Sequence, residues 1–561
     1  MDSKQIEGIG TIPRLVLPVR YVNERLPQNQ RPPQMEFAVS YQPSPHISTD
    51  SFVLGDQTTW LLPAIGGVSG TPRLKGQEGS ESYTSFIRNL VKNSGIYALS
   101  SLAVPFVSLV LSPFLTHSLT SDDYGALAVL NTMVALVAGI TQLGLSASFF
   151  RAYNYDYESR RDRQDLLSTA MILVVSTSVP IAIVAVIAAP WLAPLLLSSS
   201  SFANSIKIAG IVLLLQNLTV PSFSWLRAEN RVTLFTGLSI TNLLVNTGVT
   251  VLLMSTFHMG IDGPLIAMGC GYAVVVVATL PLLLQRFGIH LRLDLARELL
   301  AFGLPHVANL VAGWILQLSD RYLLSHLGSL SQVASYAVAY SLGGVLSSLV
   351  ISPFSLAWFP AMFSIAKKGD APRIFQLVFR WYAASLFFAS FGLSLFGISI
   401  LDLFFPPAYH ATVPIIPVIA LSTAFSGIYV ILSIGVSIQR RPWLAMLFTT
   451  ISALLNVGLN IVLIPVYGAM GAAVATLVAY IIFAATAHLV SQRLYPVPFE
   501  IGLLFLSLLV GCVLFVDSYF LAQLQGVYGA WTVRICALGL YGGFLVLVVR
   551  MAPGAKGYVQ R

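Results

Sequence analysis

From Ser94 onward the chain is a succession of apolar runs of about 20 residues, each long enough to cross roughly 30 Å of hydrocarbon at about 1.5 Å per residue. About fourteen such runs can be placed, near 94–116, 125–149, 166–189, 206–224, 233–256, 264–285, 301–324, 333–356, 377–400, 411–437, 443–464, 469–490, 501–521 and 531–549. Hydrophobic residues make up 56% and charged residues 10%, with a mean hydropathy of +0.78, which is more apolar surface than one globular core could bury. The expected fold class is all-α: a polytopic membrane protein with about 14 transmembrane helices. Pro221 in the fourth run, and Pro414 and Pro417 in the tenth, make those two boundaries the least defined.

The loops carry a second pattern. Alternate connections hold Arg151, Arg160, Arg161 and Arg163; Arg227 and Arg231; Arg286, Arg292 and Arg297; Lys367, Lys368 and Arg373, with Arg380 beyond; Arg440 and Arg441; and Arg493. The intervening connections hold almost no basic residues, and Lys207, Arg321 and Arg534 sit at span edges. By the positive-inside rule both termini are expected to be cytoplasmic and the span count even, in a cell membrane. The formal charge of +8 then reflects topology, without the basic patch and interleaved aromatics of a nucleic-acid surface. Cys270, Cys512 and Cys536 all lie in apolar runs, without metal-ligand or disulfide spacing, and read as packing residues.

Residues 1–84 differ in kind. They are rich in Pro, Gln and Ser, as in LPQNQRPPQ, and lack an apolar period, so a disordered cytoplasmic tail dispensable for function is expected. No signal-peptide pattern opens the chain, and Met35 offers an alternative translation start. The remainder divides into a six-helix lobe over 85–290, a second over 291–494, and two further spans with a short tail over 495–561.

One span is unlike the others. FGLPHVANLVAGWILQLSDRYLL, residues 302–324, carries His306, Asn309, Gly313, Gln317 and Asp320 at intervals of three and four, which puts them along one face of a helix. Lipid cannot solvate such a face, so it must look into protein or a water-filled cavity; the plainer reading of any single member is an interhelical hydrogen bond. Asp320 is expected on the cavity face, with Arg321 at an inter-helix or outer-rim position. The chain also repeats at an offset of about 210 residues: Asp123-Tyr124 resembles Ser335-Tyr336, and Val245-Asn246-Thr247-Gly248 resembles Leu455-Asn456-Val457-Gly458. Six spans separate the copies, so the halves are parallel, a transporter plan with the substrate site between them. The same offset carries the polar row onto Ser94, Tyr97, Ser101, Pro105 and Ser108, making Tyr97, Ser101 and Ser108 candidates for the opposite cavity wall. Pro105, Pro113 and Pro305 let these helices bend.

Several segments together resemble a known family: KNSGIYALSSLAVPFVSLVLSPFLTHSLTSDDYG, LSDRYLLSHLG followed by SYAVAYSLGG, SPFSLAWFPAMF, and LLNVGLNIVLIPVYGAMGAAVATLVAY. They are similar to the Wzx-like bacterial polysaccharide flippases of the multidrug/oligosaccharidyl-lipid/polysaccharide exporter superfamily, over about Leu90 to Leu494. The resemblance implies two six-helix lobes in a V around a central cavity, with two extra C-terminal helices. It implies transfer of undecaprenyl-pyrophosphate-linked oligosaccharide across the plasma membrane by alternating access. Its implied partners are the lipid-linked oligosaccharide, membrane lipids, and a polysaccharide polymerase with its export machinery. No cofactor is called for. The long tail departs from the family's short start.

Two rivals remain. A membrane glycosyltransferase or polymerase could use Asp122-Asp123 as a metal-binding pair. Directly after Thr120-Ser121, however, the two acids read as a capped helix start, and no nucleophile or phosphate-loop motif supports an enzyme. A drug or cation antiporter of the same superfamily would use a buried carboxylate for coupling, and Asp320 is the intramembrane candidate. For a phosphate-bearing head group, Arg321 is the outer cation, while Arg151 and Arg227 stand at the cytoplasmic mouth; their alternative is ordinary positive-inside flanking. Asn246, Asn456 and Asn460 read as helix-packing amides.

Overall fold

The computed structural model describes residues 107, 110–287, 290–525 and 527–551. After the end of a first helix, 110–118, come α1 (Ser121–Thr141), α2 (Leu145–Arg151), α3 (Arg160–Ile187), α4 (Ala203–Ala228), α5 (Val232–Ser255) and α6 (Asp262–Phe287). The second half holds α7 (Leu293–Leu327), α8 (Leu330–Leu346), α9 (Ser352–Ile365), α10 (Ala371–Phe404), α11 (Ile415–Leu432) and α12 (Pro442–Leu494). Two C-terminal helices follow, α13 (Ile501–Gln523) and α14 (Val527–Met551). Short helical turns join some of these. The expected tail, the expected first span up to its last turns, and Tyr97, Ser101 and Ser108 lie outside the described residues.

Among the described residues, twelve helical stretches are long and apolar enough to cross a membrane, and they fall on the expected runs. One of them, α12, is two helices that meet at Gly468, whose φ of 55° and ψ of −133° only glycine adopts readily. A Cβ there would also lie 2.8 Å from Gln332 Nε2. The IPVYGAMGAA turn is therefore a true break between the spans expected at 443–464 and 469–490. Pro221 is accommodated inside an unbroken α4, whereas Pro414 caps α11 instead of interrupting it. At the start of α1, Thr120 Oγ1 accepts from Asp123 N at 3.1 Å and the acids fill the first turn, so the acidic pair is helix capping.

The two halves pack alike. α3 lies on α4 and α4 on α6; correspondingly α10 lies on α11 and α11 on α12. The helix α1 departs from this separation, since it packs along α7 and α8 of the second half as well as on α4.

The apolar cores show how the halves meet. On the arginine-bearing side each half has its own: Leu145, Phe149, Leu166 and Leu226 with the first turns of α7, and separately Trp358, Phe375, Phe448 and Phe483. On the opposite side a single core runs through both, joining Leu127, Leu130, Ile206 and Leu265 to Leu324, Tyr336, Leu342 and Ile419. The chain is thus sealed on the arginine-poor side by one continuous apolar contact between its halves.

Candidate functional site

The helix α7 is 35 residues, about 50 Å at 1.5 Å per residue, and it changes neighbours along its length. Leu295 and Leu299 sit in the core of the first half, while Leu316 and Leu324 belong to cores built with the second. Near its middle, Trp314 Nε1 donates to the Thr132 carbonyl of α1 at 2.9 Å, a buried bond between the halves. Nearer the arginine side, Gly303 meets the break between α1 and α2, where Leu143 and Gly144 are left-handed (φ 53° and 65°); a Cβ on Gly303 would lie 2.2 Å from Leu143 O.

This change of neighbours corrects the expected polar row. His306, Asn309 and Gln317 are partly exposed, but Asp320 is fully buried and turns into the second half rather than onto an open cavity. The same helical face cannot keep one environment when α8 and α12 close over the last turns. Asp320 Oδ2 accepts a short hydrogen bond from Tyr336 Oη on α8 and lies 3.3 Å from Thr476 Oγ1 on α12, while Oδ1 accepts from Arg321 N at 2.9 Å. Thr476 Oγ1 is 3.2 Å from Tyr336 Oη and 3.4 Å from Asn456 Nδ2, and Asn460 Nδ2 donates to Asn456 Oδ1 at 3.0 Å. Asp320, Tyr336, Asn456, Asn460 and Thr476 are all fully buried, and among the described residues Asn460 Oδ1 has no protein partner. Arg321, by contrast, is partly exposed and lays its guanidinium 4.7 Å from the Tyr340 ring centre, a cation–π contact.

The chemistry of this cluster is specific. It offers hydroxyl, amide and carboxylate oxygens around one formal negative charge, which suits a proton or a monovalent cation; a buried carboxylate is otherwise expensive. In the sequence alone, Asn456 and Asn460 read as packing amides and Tyr336 stands out only as a repeat marker. The cluster is assembled by contacts 16, 140 and 156 positions apart along the chain, which no local pattern carries.

At the arginine side a cavity of about 260 Å³ lies between α2 and the start of α7, lined by Arg151, Asp156, Glu298 and Phe302 among others. Arg151 stacks 4.6 Å from the Phe302 ring centre and lies 3.8 Å from Asp156. The expected head-group cation therefore stands beside two carboxylates, which makes the cavity itself unfavourable for a pyrophosphate. Arg227 Nη2 donates to Ser146 Oγ at 2.6 Å, tying α4 to α2. Tyr157 Oη donates to Glu298 Oε2 at 2.6 Å across the halves, and that carboxylate holds the phenol proton, pushing the Tyr157 pKa up to about 12. Among the described residues no group of three or more His, Cys, Asp or Glu side chains could hold a metal ion.

Residues 90–366 match the family described as polysaccharide biosynthesis protein. Over 188 residues the chain is 23% identical to Agl15 of Haloferax volcanii, a probable low-salt glycan biosynthesis flippase; that match spans 33% of this chain and only 40% of the relative's length. Among solved structures, the fold is similar to the lipid II flippase MurJ in an inward closed conformation, with a TM-score of 0.66 at 16% identity over 82% of this chain and 99% of that one. It is similar also to an inward-facing MATE family multidrug resistance transporter of the MOP superfamily, with a TM-score of 0.56 at 13% identity over 71% and 97%. Two helical halves of one plan, sealed together on one side and with a buried polar cluster inside the second, give a multi-pass membrane protein with the fold of that superfamily. Over residues 90–366, just under half of its length, the chain is similar to the polysaccharide biosynthesis protein family.

Proposed function

We propose that the chain is a flippase that moves a lipid-linked oligosaccharide, carried on undecaprenyl pyrophosphate, from the cytoplasmic to the outer leaflet of the plasma membrane by alternating access. The observation that carries the reading is the asymmetry of the cores: one shared core on the arginine-poor side, two separate cores on the arginine-rich side. With the arginine side cytoplasmic, this is the state that receives substrate from inside. Both termini are then cytoplasmic, and a polysaccharide polymerase with its export machinery acts downstream. The family and the Haloferax relative support glycan transport over an enzymatic role.

In this account α1, α7 and α8 form the wall along which the halves part. Arg321, stacked on Tyr340, is the cation for the head group within the membrane; His306, Asn309 and Gln317 meet the sugar, a role that the sequence repeat extends to Tyr97, Ser101 and Ser108; Arg151 and Arg227 serve the mouth through their side-chain partners. The buried cluster around Asp320 is the coupling centre. Taking up a proton or a monovalent cation there neutralises a charge that three helices enclose, which changes how tightly α7, α8 and α12 pack.

The same cluster favours a second reading, an antiporter of the same superfamily that exports a cationic drug. The two separate in one experiment: deletion of the gene followed by analysis of lipid-linked sugars. The flippase reading expects one lipid-linked oligosaccharide to accumulate on the cytoplasmic side; unchanged lipid-linked sugars with raised drug sensitivity would replace it by the antiporter.

A further inference from the structure

Helix α13 has little reason of its own to hold a fixed place. Of its 23 residues only Leu504, Ser507, Gly511 and Ser518 are buried, and Phe505, Leu509, Val513 and Phe520 are each more than half exposed. In a bilayer such side chains are as well solvated by lipid tails as by another helix, so apolar contact does not select one position. Polar joints have to do so.

One joint is built at the arginine side. Arg380 on α10 is 7% exposed and pairs with Glu500, the residue before α13, through a short contact from Nη2 to Oε1. Gln376, one turn earlier on α10, donates to the same oxygen at 3.0 Å. The connection itself is pinned: Gln492 of α12 donates to the Val497 carbonyl and accepts from Val497 N at 3.1 Å. Phe499 packs its ring 4.8 Å from Phe379 and 6.0 Å from His488, measured between centres. Arg380 Nε, Glu500 Oε2 and His488 Nδ1 are all buried with no protein partner among the described residues, so the joint has unused hydrogen-bonding capacity. At the far end, Arg534 of α14 donates to Ser399 of α10 at 2.6 Å, and nearer the joint Tyr541 donates to the Ser507 carbonyl at 3.0 Å, tying α14 to α10 and to α13.

We propose that the Arg380–Glu500 ion pair is a positioning joint that fixes the α13–α14 hairpin on α10, making the C-terminal helices one rigid body with the second half. A buried ion pair adds little net stability compared with well-packed apolar side chains, but separating it strands a buried charge, so the Nη2–Oε1 contact, with Gln376 donating to the same oxygen, selects a register that lipid-facing leucines cannot. The joint lies on α10 and α12, away from the Asp320 cluster, and stands independently of what the protein transports.

The test places spin labels at Leu454 on α12 and Phe505 on α13, both exposed, in full-length protein with its three cysteines replaced by serine. The parent protein should give one narrow distance distribution. Glu500→Gln should at least double its width, and the exchanged pair Arg380→Glu with Glu500→Arg should return it towards the parent. A Glu500→Gln distribution as narrow as the parent's would overturn the proposal, as would an exchanged pair no narrower than Glu500→Gln. Should Glu500→Gln fail to fold, the exchanged pair alone decides: a folded protein with the parent's distribution supports the joint, and loss of fold or a broad distribution refutes it.

Discussion

Tyr336 on α8 donates its hydroxyl to Oδ2 of Asp320 on α7, and neither side chain has any solvent-exposed surface. Two helices of the second half therefore close over a carboxylate inside a membrane protein, with Thr476 of α12 as the third wall. Such a group is held only because hydroxyl donors surround it.

Replacing Asp320 by Asn keeps the shape and a carbonyl oxygen for Tyr336 but removes the charge. Abundance and melting temperature should stay near the parent's while transport falls at least tenfold, read from glycan export in cells complemented at native expression. Normal export by Asp320→Asn would remove the coupling role from the cluster.

Tyr336→Phe leaves the carboxylate with one donor fewer, which should cost about 1–3 kcal/mol. In the Asp320→Asn background the same change should cost clearly less, because the neutral amide needs that donor less. Thermal denaturation of the four proteins of the cycle measures the coupling; strictly additive losses would mean the bond has no energetic weight.

Gly468→Ala should destabilise by about 1–3 kcal/mol, because φ 55° with ψ −133° is strained for any residue with a Cβ. Gln332→Ala clears the atoms that the new methyl would strike but should recover little, since the strain is in the backbone. Full recovery in the double variant would show that the clash, not the conformation, was at fault.

The seal on the arginine-poor side rests partly on Gly125, where a Cβ would lie 1.9 Å from the Leu330 carbonyl oxygen, a backbone atom that cannot swing away. Gly125→Ala should therefore loosen the sealed state. A cysteine placed at Ile419, fully buried in the shared core, should then react with a membrane-impermeant thiol reagent from that side at least threefold faster than in the glycine protein.

The Tyr157–Glu298 contact carries a pH signature. The phenol pKa is raised in the folded protein from about 10 to about 12, so the stabilising contribution is fully present below about pH 10 and is lost as pH rises through about 12. Tyr157→Phe should remove this alkaline component of the melting-temperature profile and leave the profile near neutrality parallel to the parent's.

The spans and the break in α12 were legible because hydropathy and glycine-proline punctuation act locally, and Thr120 announced its own helix start. The polar row of α7 was legible as a face but not as an environment. Its spacing is set within one helix, whereas what covers Asp320 is set by Tyr336 and Thr476 on two others. The Tyr157–Glu298 and Arg380–Glu500 contacts were hidden for the same reason: they span 141 and 120 positions of sequence. Arg380 read as one more basic residue beside a loop, because a charge that flanks a span and a charge buried in a joint look alike in sequence.

The most direct measurement of the account is leaflet transfer by the purified, full-length protein in vesicles loaded with an undecaprenyl-pyrophosphate-linked oligosaccharide, its glycan scored by accessibility to an external lectin. The account predicts that the protein brings the glycan to the outer leaflet and that Asp320→Asn, reconstituted at equal density, does so at least tenfold more slowly. Glycan exposure no faster than in protein-free vesicles would contradict it.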